Sequence, residues 1–370
     1  MCYTAKGYDG LEVISVNPSK RFVKLIPETT LDLLNLYRVI SLGDIVYSDT
    51  SREVKKQRAD GKVDSERVRV TIGVRLEKKS LDPLMKRLRL LGRITYTDVE
   101  LDLIGKHHSL NVDVGTELGI KAEKDFSRLE SFAEHYRKLG RVKSLLCVLL
   151  DDEQFTITSL SNSGIEVVHK GRFVSQSKDM PDEHVKSIEN VYAEIAETIE
   201  RKLEMENPIV VVLGNDIAVE NFIKFLKKDR EKVFKAIKKI GHVSDGSLAG
   251  IQEALRNKLL DDVGGSIKPV RDAEVVEKFI EFMSKNSMNV AIGFEEVCKA
   301  IELGAVKNII VTEDFIWANM HDERFQRIMD LVDERRIEMH IVLPGTEAGD
   351  KIKAFGSIVG ILKYPVKLNY

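Results

Sequence analysis

Residues 55–79 read KKQRADGKVDSERVRVTIGVRLEKK, and the second half of this stretch decides how the first third of the chain folds. From Arg67 onward the text alternates. Val68, Val70, Ile72, Val74 and Leu76 fall on one side; Arg67, Arg69, Thr71, Gly73 and Arg75 fall on the other. A period of two sustained this long is a β-strand with one buried and one wet face. The wet face is basic. Ahead of it, Lys55, Lys56, Arg58 and Lys62 surround Ala59-Asp60-Gly61, and Asp-Gly is a turn signal. A basic loop therefore leads into a basic-faced strand.

The positive charge is local. The 370-residue chain carries a formal net charge of only -2. Between Arg52 and Arg93 there are 14 Lys or Arg against 6 Asp or Glu; the rest of the chain holds 43 basic and 53 acidic residues. One part of the molecule thus carries a positive field, which is an electrostatic footprint for phosphate. Hydrophobic residues make up 43% and charged residues 31%, which suits a well-filled globule of two or three domains. Cys2, Cys147 and Cys298 share no CxxC spacing, so neither a metal knuckle nor a disulfide framework is expected. The N-terminal MCYTAKGYDG lacks an apolar signal core, and no apolar run approaches the roughly 18 residues of a membrane span. A soluble, cytoplasmic, monomeric chain with no membrane partner is expected.

Three regions differ in periodicity. Residues 1–123 read as many short strands with one small helix at TTLDLLNLYRVIS, which suggests a small β-barrel. Residues 124–262 alternate helices with buried strands such as SLLCVLL and PIVVVLG, the signature of an α/β layered domain. Residues 263–370 read as a compact α-β-α sandwich, with Gly264-Gly265 as the hinge before it. The class is multidomain α+β.

Catalytic motifs are missing. There is no GxxxxGK[ST] loop, no GxSxG and no HExxH. His107 and His108 are adjacent on a strand and face opposite ways, so they do not chelate one metal. Gly214, where a buried strand turns into a helix, is the one place a phosphate could approach a helix N-terminus. Ser244, Asp245 and Gly246, ahead of a helix, read either as a capped start or as a contact loop for a partner. On motifs alone this is a binding protein, with no metal site and no required cofactor.

Ordered words along the whole chain resemble the archaeal Pelota family, ribosome-rescue paralogues of the class-1 translation termination factors. They are LDLLNLYRVISLGD (31–44), SERVRVTIGVRLE (65–77), HHSLNVDVGTELGI (107–120), AIELGAVKNIIVTED (300–314) and EAGDKIKAFGSIVGILKYP (347–365). The resemblance implies an Sm-like barrel over 1–123, a central α/β domain over 124–262, and over 263–370 a sandwich like the kink-turn-binding ribosomal proteins. It implies a factor that recognises stalled ribosomes in the A site with a GTP-bound elongation-factor-1-alpha-type GTPase. Subunit separation with an ABC-type recycling ATPase would follow. Lys55, Lys56, Arg58, Lys62, Arg67, Arg69 and Arg75 would then lie among phosphates of ribosomal RNA and mRNA, neutralising charge without reading sequence.

Two departures bear on function. Termination factors carry a hydrolytic Gly-Gly-Gln; here the only Gly-Gly is Gly264-Gly265, and Ser266 follows it. Family members often show Pro-Gly-Phe after the central strand, in a loop that meets the GTPase; this chain has Leu213-Gly214-Asn215-Asp216. The resemblance carries an alternative, a divalent-metal-dependent endoribonuclease that cleaves mRNA on stalled ribosomes. Metal-assisted cleavage needs converging carboxylates, and Asp44, Glu53, Asp60, Asp64 and Glu66 lie in the right domain.

Overall fold

The computed structural model describes residues 11–57, 63–99, 103–139, 144–173 and 181–366, with the backbone alone at 51–57, 63–68, 138–139, 181–185 and 333. Two compact units emerge, Gly10–Arg141 and one built on Val142–Tyr370.

The first unit runs β1 (Glu12–Asn17), β2 (Phe22–Ile26), α1 (Thr30–Val39), β3 (Ile45–Gln57), β4 (Val63–Asp82), β5 (Arg87–Thr97), β6 (His107–Val112), β7 (Leu118–Lys121) and α2 (Phe126–Leu139). Its seven strands form one antiparallel, Sm-like sheet in the order β1-β2-β7-β3-β4-β5-β6. The expected barrel does not close: among the described residues no pairing joins β1 to β6. Alternation marks which face of a strand is buried, whereas closure depends on strand number and stagger, which a single strand's periodicity does not carry. The alternation itself is realised. Val70, Ile72, Val74 and Leu76 of β4 are buried with Leu88, Leu90 and Ile94 of β5 and Leu110 and Val112 of β6.

Helix α1 is fixed at both ends by side chains. At the start, the Thr29 hydroxyl accepts from the Asp32 amide (3.2 Å) and the Asp32 carboxylate accepts from the Thr29 amide (2.8 Å), a reciprocal cap. At the end, the Lys79 ammonium donates to the carbonyls of Tyr37 (2.6 Å) and Ile40 (2.8 Å), satisfying groups the last turn leaves open.

The second unit begins with β8 (Leu145–Leu150), β9 (Gln154–Ser161), β10 (Gly164–Arg172), α3 (Pro181–Met205), β11 (Ile209–Gly214), α4 (Asp216–Asp229), α5 (Glu231–Ala236), β12 (Ile237–His242), α6 (Leu248–Arg256) and α7 (Asp261–Gly264). It continues with α8 (Lys268–Lys285), β13 (Val290–Ile292), α9 (Gly293–Glu302), β14 (Val306–Thr312), α10 (Glu313–Asn319), α11 (Glu323–Glu334), β15 (Glu338–Val342), α12 (Glu347–Ala354) and β16 (Ile358–Leu362). Two sheets result, β10-β9-β8-β11-β12 and β13-β16-β14-β15. Strands β8, β11 and β12 are parallel. β8 is buried throughout and β11 nearly so, because helices cover both faces. One face packs on α3, α4 and α5 through Ile195, Ile199, Phe222, Leu226 and Val233. The other packs on α6 through Ile251, Ala254 and Leu255, and on Ile267 and Val270 around the start of α8.

Helix α8 serves two cores. Val270 lies in the core of the five-stranded sheet, while Val276 and Phe279 lie in that of the four-stranded sheet with Val290, Ile352 and Val359. A buried charged cluster sits at its first turn. Lys268 bonds Asp272 and the Ile341 carbonyl; Asp272 also accepts from the Leu343 amide (2.9 Å) and pairs with His340 (2.8 Å). The Lys268 amide donates to Asn162 in the β9–β10 turn (2.9 Å), so one helical turn ties both sheets together.

Candidate nucleic-acid interface

The basic strand identified in the sequence is β4, and its partner strands determine what its charges can do. Arg69 and Arg75 are exposed on the wet face. Each is met by a carboxylate from another element. Arg69 pairs with Asp49 of β3 at 2.8 Å, and Arg75 with Glu123 at 3.5 Å. The register sets Arg75 opposite Arg93 of β5, two like charges that would repel. Glu77 relieves this: it pairs with Arg93 (3.0 Å) and with His107 (2.9 Å). Donation from His107, then from Arg93, holds the Glu77 carboxyl below the usual range. Asp49 is held low as well, first by the Thr71 hydroxyl (2.7 Å) and then by Arg69. The same logic continues on β5, where Arg87 pairs with Asp113 and Arg89 with Asp82.

The described part of this face is thus a ladder of cross-strand ion pairs. Lys78 and Lys86 are exposed and carry no carboxylate partner among the described residues. Sequence reading found the arginines and missed the acids, Asp49, Glu77 and Glu123, that offset them. Only the hairpin register brings Asp49 beside Arg69. That register also sets Lys55 opposite Ser65, Lys56 opposite Asp64, Glu53 opposite Arg67 and Val54 opposite Glu66. Arg58, Asp60 and Lys62 lie outside the described residues.

Asp44 is a bracing residue. It is 5% exposed, and its carboxylate accepts from the amides of Ser41 (2.9 Å) and Glu123 (3.1 Å) while its carbonyl accepts from Leu76 (2.9 Å). It pins the end of the ribbon to the chain leaving the sheet. Among the described residues, no group of three or more His, Cys, Asp or Glu could hold a metal ion, and no helix is long and apolar enough to cross a membrane.

The partner-loop residues converge at the C-terminal ends of the parallel strands, where ligands and partners of open α/β sheets usually meet. Gly214 ends β11, and a Cβ there would stand 2.0 Å from the Leu150 carbonyl, so close strand packing requires the glycine. The first turn of α4 is capped by the Asn215 side chain (2.8 Å to the Ala218 amide), and Asp216 sits beside it facing His242 (3.1 Å). An occupied cap next to an acid does not favour phosphate there. Ser244 donates through its amide (2.8 Å) and hydroxyl (2.6 Å) to Glu253, and Asp245 accepts from Ser247 (2.6 Å). The Gly246 amide donates to Asp151 (2.8 Å) in the β8–β9 turn. Asp151 was not singled out in the sequence, yet it accepts from three backbone amides, those of Glu153, Gln154 and Gly246. An Asp followed two and three residues later by free amides is the pattern of an Asx turn, a signal available in DDEQ.

Known families match both ends of the chain. Residues 12–133 match the Pelota N-terminal domain, and residues 269–366 match eRF1 domain 3. A basic-faced Sm-like sheet joined to a termination-factor last domain defines the class: a multidomain protein of the translation-termination-factor type. The Protein pelota homolog of Pyrococcus furiosus is 30% identical over 366 residues, covering 96% of this chain and 100% of that protein. That of Thermococcus kodakarensis is 28% identical over 362 residues, again covering 96% and 100%. The chain belongs to the Pelota family. Its fold is shared with the crystal structure of the Thermoplasma acidophilum Pelota protein, at a TM-score of 0.61 with 19% identity over 96% of this chain and 100% of that one.

Proposed function

We propose that the chain is a ribosome-rescue and mRNA-surveillance factor. It occupies the A site of stalled ribosomes beside a GTP-bound translational GTPase and promotes subunit dissociation, with an ABC-type ATPase, without hydrolysing peptidyl-tRNA. The carrying observation is membership of the Pelota family along the whole chain. The glycine pair supports the non-hydrolytic part. Hydrolysis at the ester carbon needs donors and a water brought close to the developing oxyanion, which demands an accessible tripeptide. Gly264 is instead buried at the end of α7, where a Cβ would stand 2.4 Å from Leu145. Its neighbour Gly265 donates to the Asp261 carbonyl (3.1 Å).

Three working regions follow in this proposal: 1–123 toward decoding-site RNA, with 124–262 and 263–370 toward the GTPase and the ATPase. Lys55, Lys56, Arg58, Lys62, Arg67, Arg69 and Arg75 supply phosphate contacts, and Gly214, Ser244, Asp245 and Gly246 belong to the partner loops. The endoribonuclease alternative has no specific observation in its favour. The test is one reaction with stalled ribosomes, GTPase and ATPase, read by peptide release and by sucrose gradient. Subunits should part with the peptide still on tRNA. Peptide freed before the subunits part would overturn the reading.

A further inference from the structure

The end of β4 farthest from residues 58–62 carries a different surface. β4 spans 20 residues, a contour on the order of 60 Å. At its end the chain turns through Pro83-Leu84-Met85-Lys86 into β5. Leu84 is 95% exposed and Met85 60% exposed. The register of β5 with β6 pairs Leu88 with Val112, which brings the loop after β6 to the same end of the sheet. Val114 in that loop is 45% exposed.

This end is rigid. The Asp82 carboxylate accepts from the Met85 amide (3.1 Å) and pairs with Arg89 (2.5 Å). Arg87 forks onto both carboxylate oxygens of Asp113 (3.0 and 3.1 Å), joining the bases of the two loops. Lys86 takes a left-handed backbone (φ 46°), which sharpens the turn. A solvated leucine and methionine held on an ordered turn bury nothing in this chain, and nothing in the fold of the unit requires them to be apolar.

We propose that this end of the sheet docks into a protein partner, one offering an apolar pocket with a carboxylate at its rim. Leu84, Met85 and Val114 would fill the pocket, and Lys86, which has no ion-pair partner among the described residues, would meet the carboxylate. Charge selects the class of partner. RNA is disfavoured because Arg87 and Arg89 are already engaged by Asp113 and Asp82, and those two carboxylates would face phosphate. A second copy of this chain is disfavoured because a two-fold contact would set Lys86 against Lys86. The surface stands apart from the ribosomal reading, since it requires no RNA contact.

The test is a photo-crosslink. The full chain carries benzoylphenylalanine at position 114 and is irradiated in whole-cell archaeal extract; the adduct is then treated separately with RNase and with protease. The expected product is protease-sensitive, RNase-resistant and abolished by both Leu84→Ser and Lys86→Glu. The crosslinked protein, identified and purified, should then lose about tenfold or more in affinity for Leu84→Ser with Met85→Ser. Circular dichroism melting of each variant should match the parent, since both side chains are exposed. An RNase-sensitive adduct, a lipid adduct, an adduct of twice the chain mass, or one indifferent to both substitutions would overturn the proposal. Loss of ribosome co-sedimentation with this adduct intact would instead count against ribosome rescue alone.

Discussion

At the scale of single residues, the structure turns on buried acids that hold backbone together. Asp151 organises the partner loops by accepting three amides. Burial alone would raise its pKa, but the amides of Glu153, Gly246 and Gln154 hold it below the usual carboxylate range. Asp151→Ala should cost about 2 kcal/mol, the scale for unpairing amides that donate to a charged group. A folded-state pKa below the unfolded value of about 3.9 makes this contribution complete above that pH and lost as pH falls through the folded value. Urea melts of parent and variant should therefore lie farthest apart above about pH 5 and converge in acid. A constant gap would assign the role of Asp151 to packing. Asp272 poses the sharper case. Burial pushes its carboxyl up, but the charge of Lys268, with help from His340, holds it down. Lys268→Met leaves that carboxylate buried without its cation, and breaking a buried pair from one side costs about 3–5 kcal/mol. Lys268→Met with Asp272→Leu should cost clearly less than the two single changes added together, in a denaturant double-mutant cycle. Full additivity would mean that the pair is not coupled.

At the scale of elements, β4 shows what a sequence can and cannot disclose. The buried stripe of Val70, Ile72, Val74 and Leu76 is readable because alternation lies within one strand. So is the Thr29 start of α1, since a capping residue and its amide are neighbours in sequence. The ion-pair ladder is not readable. Asp49 and Arg69 lie 20 positions apart and meet only through the hairpin register; Arg75 and Glu123 lie 48 apart and meet only through the sheet order. The count of basic residues therefore overstates the charge free to bind phosphate on the described face. This has a counterintuitive consequence. Asp49→Asn removes an acid from the face and frees Arg69, so single-stranded RNA should bind more tightly to that variant. The slope of log affinity against log salt should steepen by about 0.7, one phosphate's worth. Fluorescence anisotropy across a salt series reads both. Unchanged affinity and slope would show that Arg69 stands off the RNA surface.

At the scale of the whole molecule, the glycine pair near residue 264 looked in sequence like a boundary, and helix α8 explains why sequence could not weigh it. Periodicity shows that α8 has an apolar face, but not that Val270 and Val276, six positions apart, enter different cores. The helix is common to two sheets, and Lys268 at its start bonds Asn162 of one and Ile341 of the other. No comparable sharing is needed for Gly10–Arg141, a unit of its own. Unfolding should therefore proceed in two steps, with residues 144–366 melting as one cooperative block. Two native probes sit on opposite sides of α8. Trp317, the only tryptophan in the chain, is buried in α10 beside the four-stranded sheet. Cys147 is fully buried in β8 of the five-stranded sheet, where desolvation pushes its thiol up to about 12. A thiol so buried and so weakly acidic does not react until its surroundings open. With Cys2 and Cys298 changed to Ser, urea titrations should give one midpoint for Trp317 fluorescence and for Cys147 labelling, while circular dichroism shows a second transition from the first unit. Lys268→Met should lower the shared midpoint for both probes together. Separate midpoints for Trp317 and Cys147 in the otherwise intact chain would show that the two sheets unfold independently and that α8 does not couple them.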